Sequence, residues 1–160
     1  MNTDDTDLRP IQSGKHDAIT ERIIGIFYEV YNELGYGFLE SVYRESLRLA
    51  LMQADLRVKT EVPVPVSFRG TVVGVFRADL IVNDVVLIEL KAGEQILRQH
   101  ESQTMHYLRA TPIEVGLLMN FGPSPRFKRI VMDNERKKLK HELTESVTIE
   151  IEPSMASESV

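Results

Sequence analysis

Cysteine is absent from this chain of 160 residues. The absence excludes disulfide bonds and thiolate zinc sites, and it is compatible with a reducing compartment, so we expect a cytoplasmic protein. Long apolar runs are also missing, since no stretch approaches the roughly 20 residues of a membrane-spanning helix. The acidic start of the chain lacks the basic and then apolar plan of a signal peptide. We therefore expect no export signal and no association with a membrane.

Several common catalytic and nucleotide-binding motifs are missing as well. The chain has no internal repeat, no glycine-rich phosphate loop and no Ser/His/Asp arrangement, and its four histidines lack the spacing of zinc ligands. Its net charge of −5 is unevenly distributed: residues 1–17 carry −2 and residues 141–160 carry −5, which leaves +2 for residues 18–140. A mildly basic body permits a polyanionic substrate but does not argue for one.

Hydrophobic periodicity predicts the order of helices and strands. The predicted helices are Ala18–Leu34, Leu39–Gln53 and Ile96–Ala110. The extended segments are Arg57–Phe68, Thr71–Val82, the run that ends at Lys91, Val115–Asn120 and the candidate edge strand Phe127–Met132. Pro63 and Pro65 favour an edge position for the first of these strands. Antiparallel hairpins followed by a helical crossover predict an α/β fold of the α+β kind, with one mixed sheet and helices packed on it.

The composition also suggests three regions along the chain. Residues 1–17 read as a mobile lead-in, and residues 18–132 carry all of the strongly periodic segments. Residues 133–160 form a charged, acidic tail that we expect to be partly disordered.

The run from Phe76 to Lys91 is the most apolar in the chain, yet it contains three unexpected charges. Asp79, Glu89 and Lys91 lie among leucine, isoleucine and valine. Charged side chains are rarely buried unless they are paired or bind a metal, because their desolvation costs several kcal/mol. They therefore either form a structural ion pair or line a functional site.

Side-chain alternation predicts how the two strands of this hairpin pair. Alternation places Phe76, Ala78, Leu80 and Val82 on one face of the first strand, and Glu89 and Lys91 together on one face of the second. A two-residue turn at Asn83-Asp84 would put Asp79 opposite Ile88. A loop or bulge centred on Asp84 pairs Asp79 with Glu89 instead and keeps the fully apolar faces together, so we predict that loop.

Two neighbouring carboxylates repel each other unless a cation or a shared proton lies between them. Magnesium uses one or two carboxylates, waters and substrate phosphate, so Asp79 and Glu89 suit Mg2+ or Mn2+, with the Leu90 carbonyl as a further ligand. Lys91 can hold the attacking water and stabilise charge on a phosphate. Phosphodiester hydrolysis needs these parts, although a buried ion pair remains the alternative.

Two helices carry polar residues that periodicity alone does not mark as functional. Glu40 and Tyr43 are three residues apart on the second helix, and the simple interpretation is a surface acid beside a partly buried ring. His100, Gln103 and Tyr107 share a stripe of the third helix, where polar residues are usually only solvated.

Several motifs together resemble the bacterial GxxExxY protein family, which is grouped within the PD-(D/E)XK nuclease superfamily. The likeness runs from about residue 19 to residue 131. Its motifs are Leu34-Gly35, Gly37-Phe38-Leu39-Glu40-Ser41-Val42-Tyr43, Arg77-Ala78-Asp79-Leu80, Glu89-Leu90-Lys91-Ala92, His100, Gln103 through Tyr107-Leu108, and Gly116 through Gly122. The resemblance implies a restriction-endonuclease-like α-β-β-β-α-β core with an extra N-terminal helix.

The resemblance also implies roles for individual residues. Asp79, Glu89 and Lys91 would form the metal and water core, and Glu40 would be the first-helix acid that completes the metal shell. Gln103 and Tyr107 resemble a Q-x-x-x-Y motif that helps to position DNA or the active lysine.

Tyr43 and His100 belong to the same motifs and are further candidates for substrate positioning. The implied function is a Mg2+- or Mn2+-dependent nuclease acting on DNA in preference to RNA. The alternative is a module that keeps the fold and binds nucleic acid or a protein partner, or forms a homodimer, without cutting.

Overall fold

A computed structural model describes the backbone of residues 14–141. In chain order its elements are α1 (Asp17–Leu34), α2 (Glu40–Gln53), β1 (Val58–Phe68), β2 (Thr71–Val82), β3 (Val86–Lys91), α3 (Arg98–Arg109), β4 (Val115–Phe121), β5 (Pro125–Val131) and α4 (Asn134–His141). The order predicted for the core, with one additional N-terminal helix, is therefore confirmed. Most of the predicted lead-in and tail lies in residues 1–13 and 142–160, outside the described residues.

One sheet with strand order β1-β2-β3-β4-β5 organises the fold. Strands β3 and β4 are parallel because α3 crosses over between them, and the other neighbours are antiparallel. Strand β1, with Pro63 and Pro65, lies at the edge as predicted. Helices cover both faces of the centre, and this mixed, helix-flanked sheet confirms the predicted fold class.

Two apolar clusters fill the space between the sheet and its helices. On one face, α1 and α2 contribute Phe27 and Leu47, among others, to a cluster that includes Leu80 and Ile88. On the other face, Leu108 of α3 packs with a cluster that includes Leu87. Every residue of β4 is buried, as expected for a strand covered on both sides. Within residues 14–141, no helix has both the length and the apolar character needed to cross a bilayer.

The loop between β2 and β3 has the predicted odd length. Val82 pairs with Val86 and Leu80 pairs with Ile88, so three residues connect the strands with Asp84 at their centre. Asn83 and Asp84 both adopt left-handed conformations, with φ of 49° and 58°. Asparagine and aspartate tolerate this region better than other non-glycine residues do. Continuation of this register places Asp79 opposite Glu89.

The predicted alternation along β2 is wrong at Asp79. Phe76 and Ala78 pack in the cluster on the α3 side, whereas Leu80 belongs to the cluster on the α1 and α2 side. The change of face occurs opposite Glu61, whose left-handed φ of 47° interrupts β1 between two regular pairs of the ladder. An irregularity of this kind rotates a strand pair and redirects its side chains.

Helix α4 follows the last strand and attaches to the body through Lys137. The Lys137 ammonium donates hydrogen bonds to the carbonyl oxygens of Thr111 and Ile113, at 2.9 and 2.6 Å. The side chain is almost fully buried. The predicted boundary at residue 132 therefore stays a prediction, and an ordered helix lies beyond it.

Candidate active site

The two candidate acids lie where β2 and β3 separate. Beyond the last regular pair, the Asp79 amide donates to Glu89 Oε1 at 3.3 Å, and the Leu90 amide donates to Asp79 Oδ2 at 2.8 Å. Each carboxylate thus accepts a hydrogen bond from the backbone of the other strand. The backbone therefore fixes both side chains, and the two carboxylates are brought together as the register predicts.

Burial and mutual repulsion make this pair electrostatically unusual. Glu89 is 5% exposed, and its burial, together with the negative charge of Asp79, raises the pKa of Glu89 to about 8. The backbone hydrogen bond and the positive charge of Lys91 act in the opposite direction without compensating. Glu89 therefore retains its proton at a pH where a carboxyl group is ordinarily ionised. A bound cation would reduce the repulsion between the two carboxylates and lower this pKa again.

Glu40 and Lys91 lie within electrostatic reach of the pair. Glu40 is the first residue of α2, and partial burial raises its pKa. The charge of Asp79 raises that pKa further, whereas Lys91 and Arg44 lower it. The structure therefore gathers Glu40, Asp79, Glu89 and Lys91 from one helix and two strands into one region.

Helix α3 contributes Gln103 and Tyr107 from the opposite side. Burial raises the pKa of the Tyr107 hydroxyl to about 12, and the charges of Glu89 and Asp79 act in the same direction. A hydrogen bond from the Gln103 side chain opposes that rise. The Tyr107 ring stacks on Phe76 with 3.5 Å between ring centroids, which fixes its orientation. Tyr107 therefore lies within electrostatic reach of the acids, and Gln103 contacts it.

His100 lies nearby but uses one ring nitrogen for the helix. Its Nδ1 accepts a hydrogen bond from the Leu97 amide at 3.2 Å, at the start of α3. Burial lowers the pKa of His100, and the positive charge of Lys91 lowers it further. The neutral ring is thus favoured, and its Nε2 is the atom left for a substrate contact.

Tyr43 is a predicted site residue that the structure does not bring to the acids. Its ring is fully buried and stacks on Phe121 at 4.2 Å between centroids. Its hydroxyl donates to the Gly35 carbonyl at 2.6 Å and accepts from the Phe38 amide at 3.3 Å. Tyr43 therefore supports the loop that leads to Glu40 and has no surface exposed for a substrate.

Arg44 is a site residue that the sequence analysis missed. Its Nη1 lies 3.5 Å from Asp79 Oδ1, and its Nη2 lies 3.5 Å from Glu61 Oε1. The side chain is 22% exposed, so this charge is partly shielded from water. Its position four residues after Glu40 could have indicated this role, because that spacing puts both side chains on one face of α2.

A family model described as the PD-(D/E)XK nuclease superfamily matches residues 17–130, which include all of the candidate residues. The chain belongs to this superfamily. Membership indicates a nuclease-like function and a nucleic-acid substrate. The narrower resemblance to GxxExxY proteins stays a prediction.

Neither curated proteins nor solved structures give further information about the function of this member of the nuclease superfamily. No curated protein matches the chain. A solved structure titled "Crystal structure of SSO0001" is similar, with 22% identity and a TM-score of 0.47, over 79% of this chain and 71% of the other. Similarity at that level carries no argument about function.

PD-(D/E)XK nucleases typically use divalent metals, and the chemistry of the carboxylate pair fits such an ion. Asp79 and Glu89 would supply hard oxygen donors at a site where the charge of Lys91 does not compensate for burial and mutual repulsion. Among the side chains of residues 14–137, no group of three or more acidic or histidine residues is arranged as a metal cage. Two carboxylates with waters and substrate phosphate are nevertheless the usual environment of Mg2+. Glu40 and the Leu90 carbonyl stay predicted ligands.

Proposed function

We propose that this chain is a Mg2+- or Mn2+-dependent nuclease that hydrolyses phosphodiester bonds in DNA in preference to RNA. The observation that carries the proposal is the pairing of buried Glu89 with partly buried Asp79, which the strand backbones hold together although two carboxylate charges there repel. Holding two carboxylates together in this way lowers the stability of the fold, and a functional cation would offset the repulsion between them. The preference for DNA rests on the resemblance of Gln103 and Tyr107 to the Q-x-x-x-Y motif.

Each side chain has a role that follows from its position. Asp79 and Glu89 would hold the metal, with Glu40 and the Leu90 carbonyl completing its shell. When bound, the cation polarises the phosphate and lowers the pKa of a coordinated water. Lys91 orients the attacking water and stabilises the negative charge that develops on the phosphate oxygens. Gln103 holds the Tyr107 hydroxyl, and that pair orients the substrate backbone beside the acids.

The test is a cleavage assay with the full-length protein. Single-stranded, duplex and nicked DNA and RNA are incubated with Mg2+, Mn2+ or chelator. We expect metal-dependent cleavage of DNA that Asp79→Asn and Lys91→Met abolish. Asp84→Asn is the matched control, because Asp84 lies at the loop end of the same hairpin and pairs with Lys59 at 2.9 Å. Cleavage by Lys91→Met at the wild-type rate, or no cleavage of any substrate in either metal, would refute the proposal.

One observation favours a second candidate, a module that binds without cutting. The Arg44 guanidinium already places a positive charge against Asp79, so part of the repulsion is relieved without a metal. A binding module of this kind would not need the acids to hold a cation. Calorimetric titration with Mn2+ separates the two candidates, since binding that Asp79→Asn removes supports the nuclease.

A further inference from the structure

A cluster of exposed apolar side chains borders the candidate active site. We call it the rim, and it consists of Tyr36, Phe38, Leu39 and Leu97, which are 51%, 48%, 75% and 39% exposed. Scattered exposed apolar residues are normal on proteins, whereas clustered ones mark a surface of interaction. The position of these residues beside Glu40 therefore makes the rim a candidate surface of interaction.

The rim is continuous with the acids. Leu39 directly precedes Glu40, and Phe38 is only two residues away, so its Cα lies within about 7 Å of that of Glu40 along the chain. Leu97 belongs to the segment that follows Lys91. The Tyr36 hydroxyl donates to Glu94 Oε1 at 3.3 Å and joins the two segments. A nucleic acid whose phosphate reaches the acids therefore has its neighbouring nucleotides beside the rim.

The rim is also held in a defined conformation. The Tyr43 hydroxyl bonds both the Gly35 carbonyl and the Phe38 amide, which fixes the two ends of the loop. The Phe38 ring lies edge-on to Tyr43, with 6.0 Å between centroids and an 84° angle. Gly35 and Gly37 have φ of 71° and 117°, which few other residues adopt. The exposed rings are thus arranged before any ligand binds, which lowers the entropic cost of binding.

Aromatic faces beside a phosphate-binding centre suit one chemical group in particular, the unpaired nucleobase. Bases in a duplex already stack on each other and are not accessible to a side chain, whereas bases of a single strand are. Resting on the nuclease function proposed above, we propose that Tyr36 and Phe38 stack unpaired bases. The substrate is therefore single-stranded, or has a single-stranded end, where it enters the site. Stacking tolerates every base, so this contact imposes little sequence preference.

The chain contains no tryptophan, which makes a direct test available. Tyr36→Trp introduces the only tryptophan of the chain into the rim, and Lys91→Met in the same chain prevents turnover in Mg2+. Single-stranded DNA should quench this tryptophan, and a blunt duplex of the same sequence should not. No quenching by the single strand would overturn the proposal.

Affinity measurements give a second, independent test. Tyr36→Ala and Phe38→Ala, each combined with Lys91→Met, should weaken binding of a labelled single strand by about 5-fold to 100-fold in fluorescence anisotropy. Tyr36→Phe keeps the ring and should bind like the parent. Phe68→Ala is the matched control, because Phe68 is 59% exposed at the far tip of the β1–β2 hairpin. Equal losses in Phe68→Ala, or no loss in either rim variant, would overturn the proposal.

The outcomes also separate this proposal from the nuclease proposal. If the wild-type protein cuts DNA but the rim tryptophan is not quenched, stacking is refuted and the nuclease stands. If single strands quench the tryptophan and no nucleic acid is cut, stacking is supported and catalysis fails.

Discussion

Replacement of Glu89 by glutamine should stabilise the metal-free protein at alkaline pH. The folded protein holds the pKa of Glu89 at about 8, whereas the unfolded chain has the ordinary value of 4.5. Between these values the unfolded chain has released the proton and the folded protein retains it. Stability contributed by this group is therefore present below pH 4.5 and is lost as the pH rises to about 8. Glutamine cannot ionise, and its oxygen can still accept from the Asp79 amide.

The size of the effect follows from the difference between the pKa values of Glu89 in the folded and the unfolded chain. Each pKa unit corresponds to about 1.4 kcal/mol, so the window from 4.5 to about 8 sets an upper limit of about 5 kcal/mol. Water penetration and local rearrangement reduce this limit, and we expect Glu89→Gln to raise the free energy of unfolding by about 2–4 kcal/mol at pH 8. Near pH 5 the gain should largely disappear.

Urea denaturation in chelator at pH 5 and pH 8 measures this difference. Addition of Mn2+ at pH 8 should then stabilise the wild-type protein through binding to the folded state and leave the variant unchanged. Glu45→Gln serves as the control, because Glu45 is exposed on α2 and pairs with Arg48 on its own helix. A variant less stable than the wild type at pH 8 without metal, or one with the same pH dependence, would refute the electrostatic reasoning.

Two further predictions concern neighbours of the site. Arg44→Met should tighten Mn2+ binding in calorimetry, because it removes a positive charge 3.5 Å from Asp79 that opposes the metal, whereas Arg44→Lys should change it less. Weaker Mn2+ binding in Arg44→Met would show instead that Arg44 holds Asp79 in position. Tyr43→Phe should lower the free energy of unfolding by about 1–3 kcal/mol, because the Gly35 carbonyl and the Phe38 amide lose their partner. A raised KM without any loss of stability would contradict that structural role.

Local periodicity was enough to predict the register that brings Asp79 and Glu89 together, although it wrongly placed Ala78 and Leu80 on one face of the sheet. The charges of Asp79, Glu89 and Lys91 are conspicuous in an otherwise apolar hairpin. Because side chains alternate along a strand with a period of two, few pairings of the two strands bring these charges to one face. Gln103 and Tyr107, four residues apart on α3, share a face for the equally local reason of helical geometry. The register of the hairpin and the shared face of Gln103 and Tyr107 could be predicted because each depends only on the conformation of one hairpin or one helix.

The roles of Tyr43 and Arg44 could not be predicted in this way. They are adjacent on α2, so about 100° of helix rotation separates their side chains. Tyr43 enters the core beside Phe121 and Arg44 reaches Asp79, which depends on how the helix is rotated against the sheet. The change of face at Asp79 likewise depends on Glu61 in the neighbouring strand, and no periodicity within β2 reports it.

The sequence by itself therefore determined the order of elements, the three-residue loop at Asp84 and the acids that face each other across it. Those features arise from backbone geometry and from the cost of burying charge, which act over short distances along the chain. Only the tertiary structure decided which side chains surround the acids, because Glu40 and Arg44 of α2 and Tyr107 of α3 come together only when helices cover both faces of the sheet. The exposed rim beside the acids has the same origin, since the Tyr36 hydroxyl reaches Glu94 only when two distant loops meet.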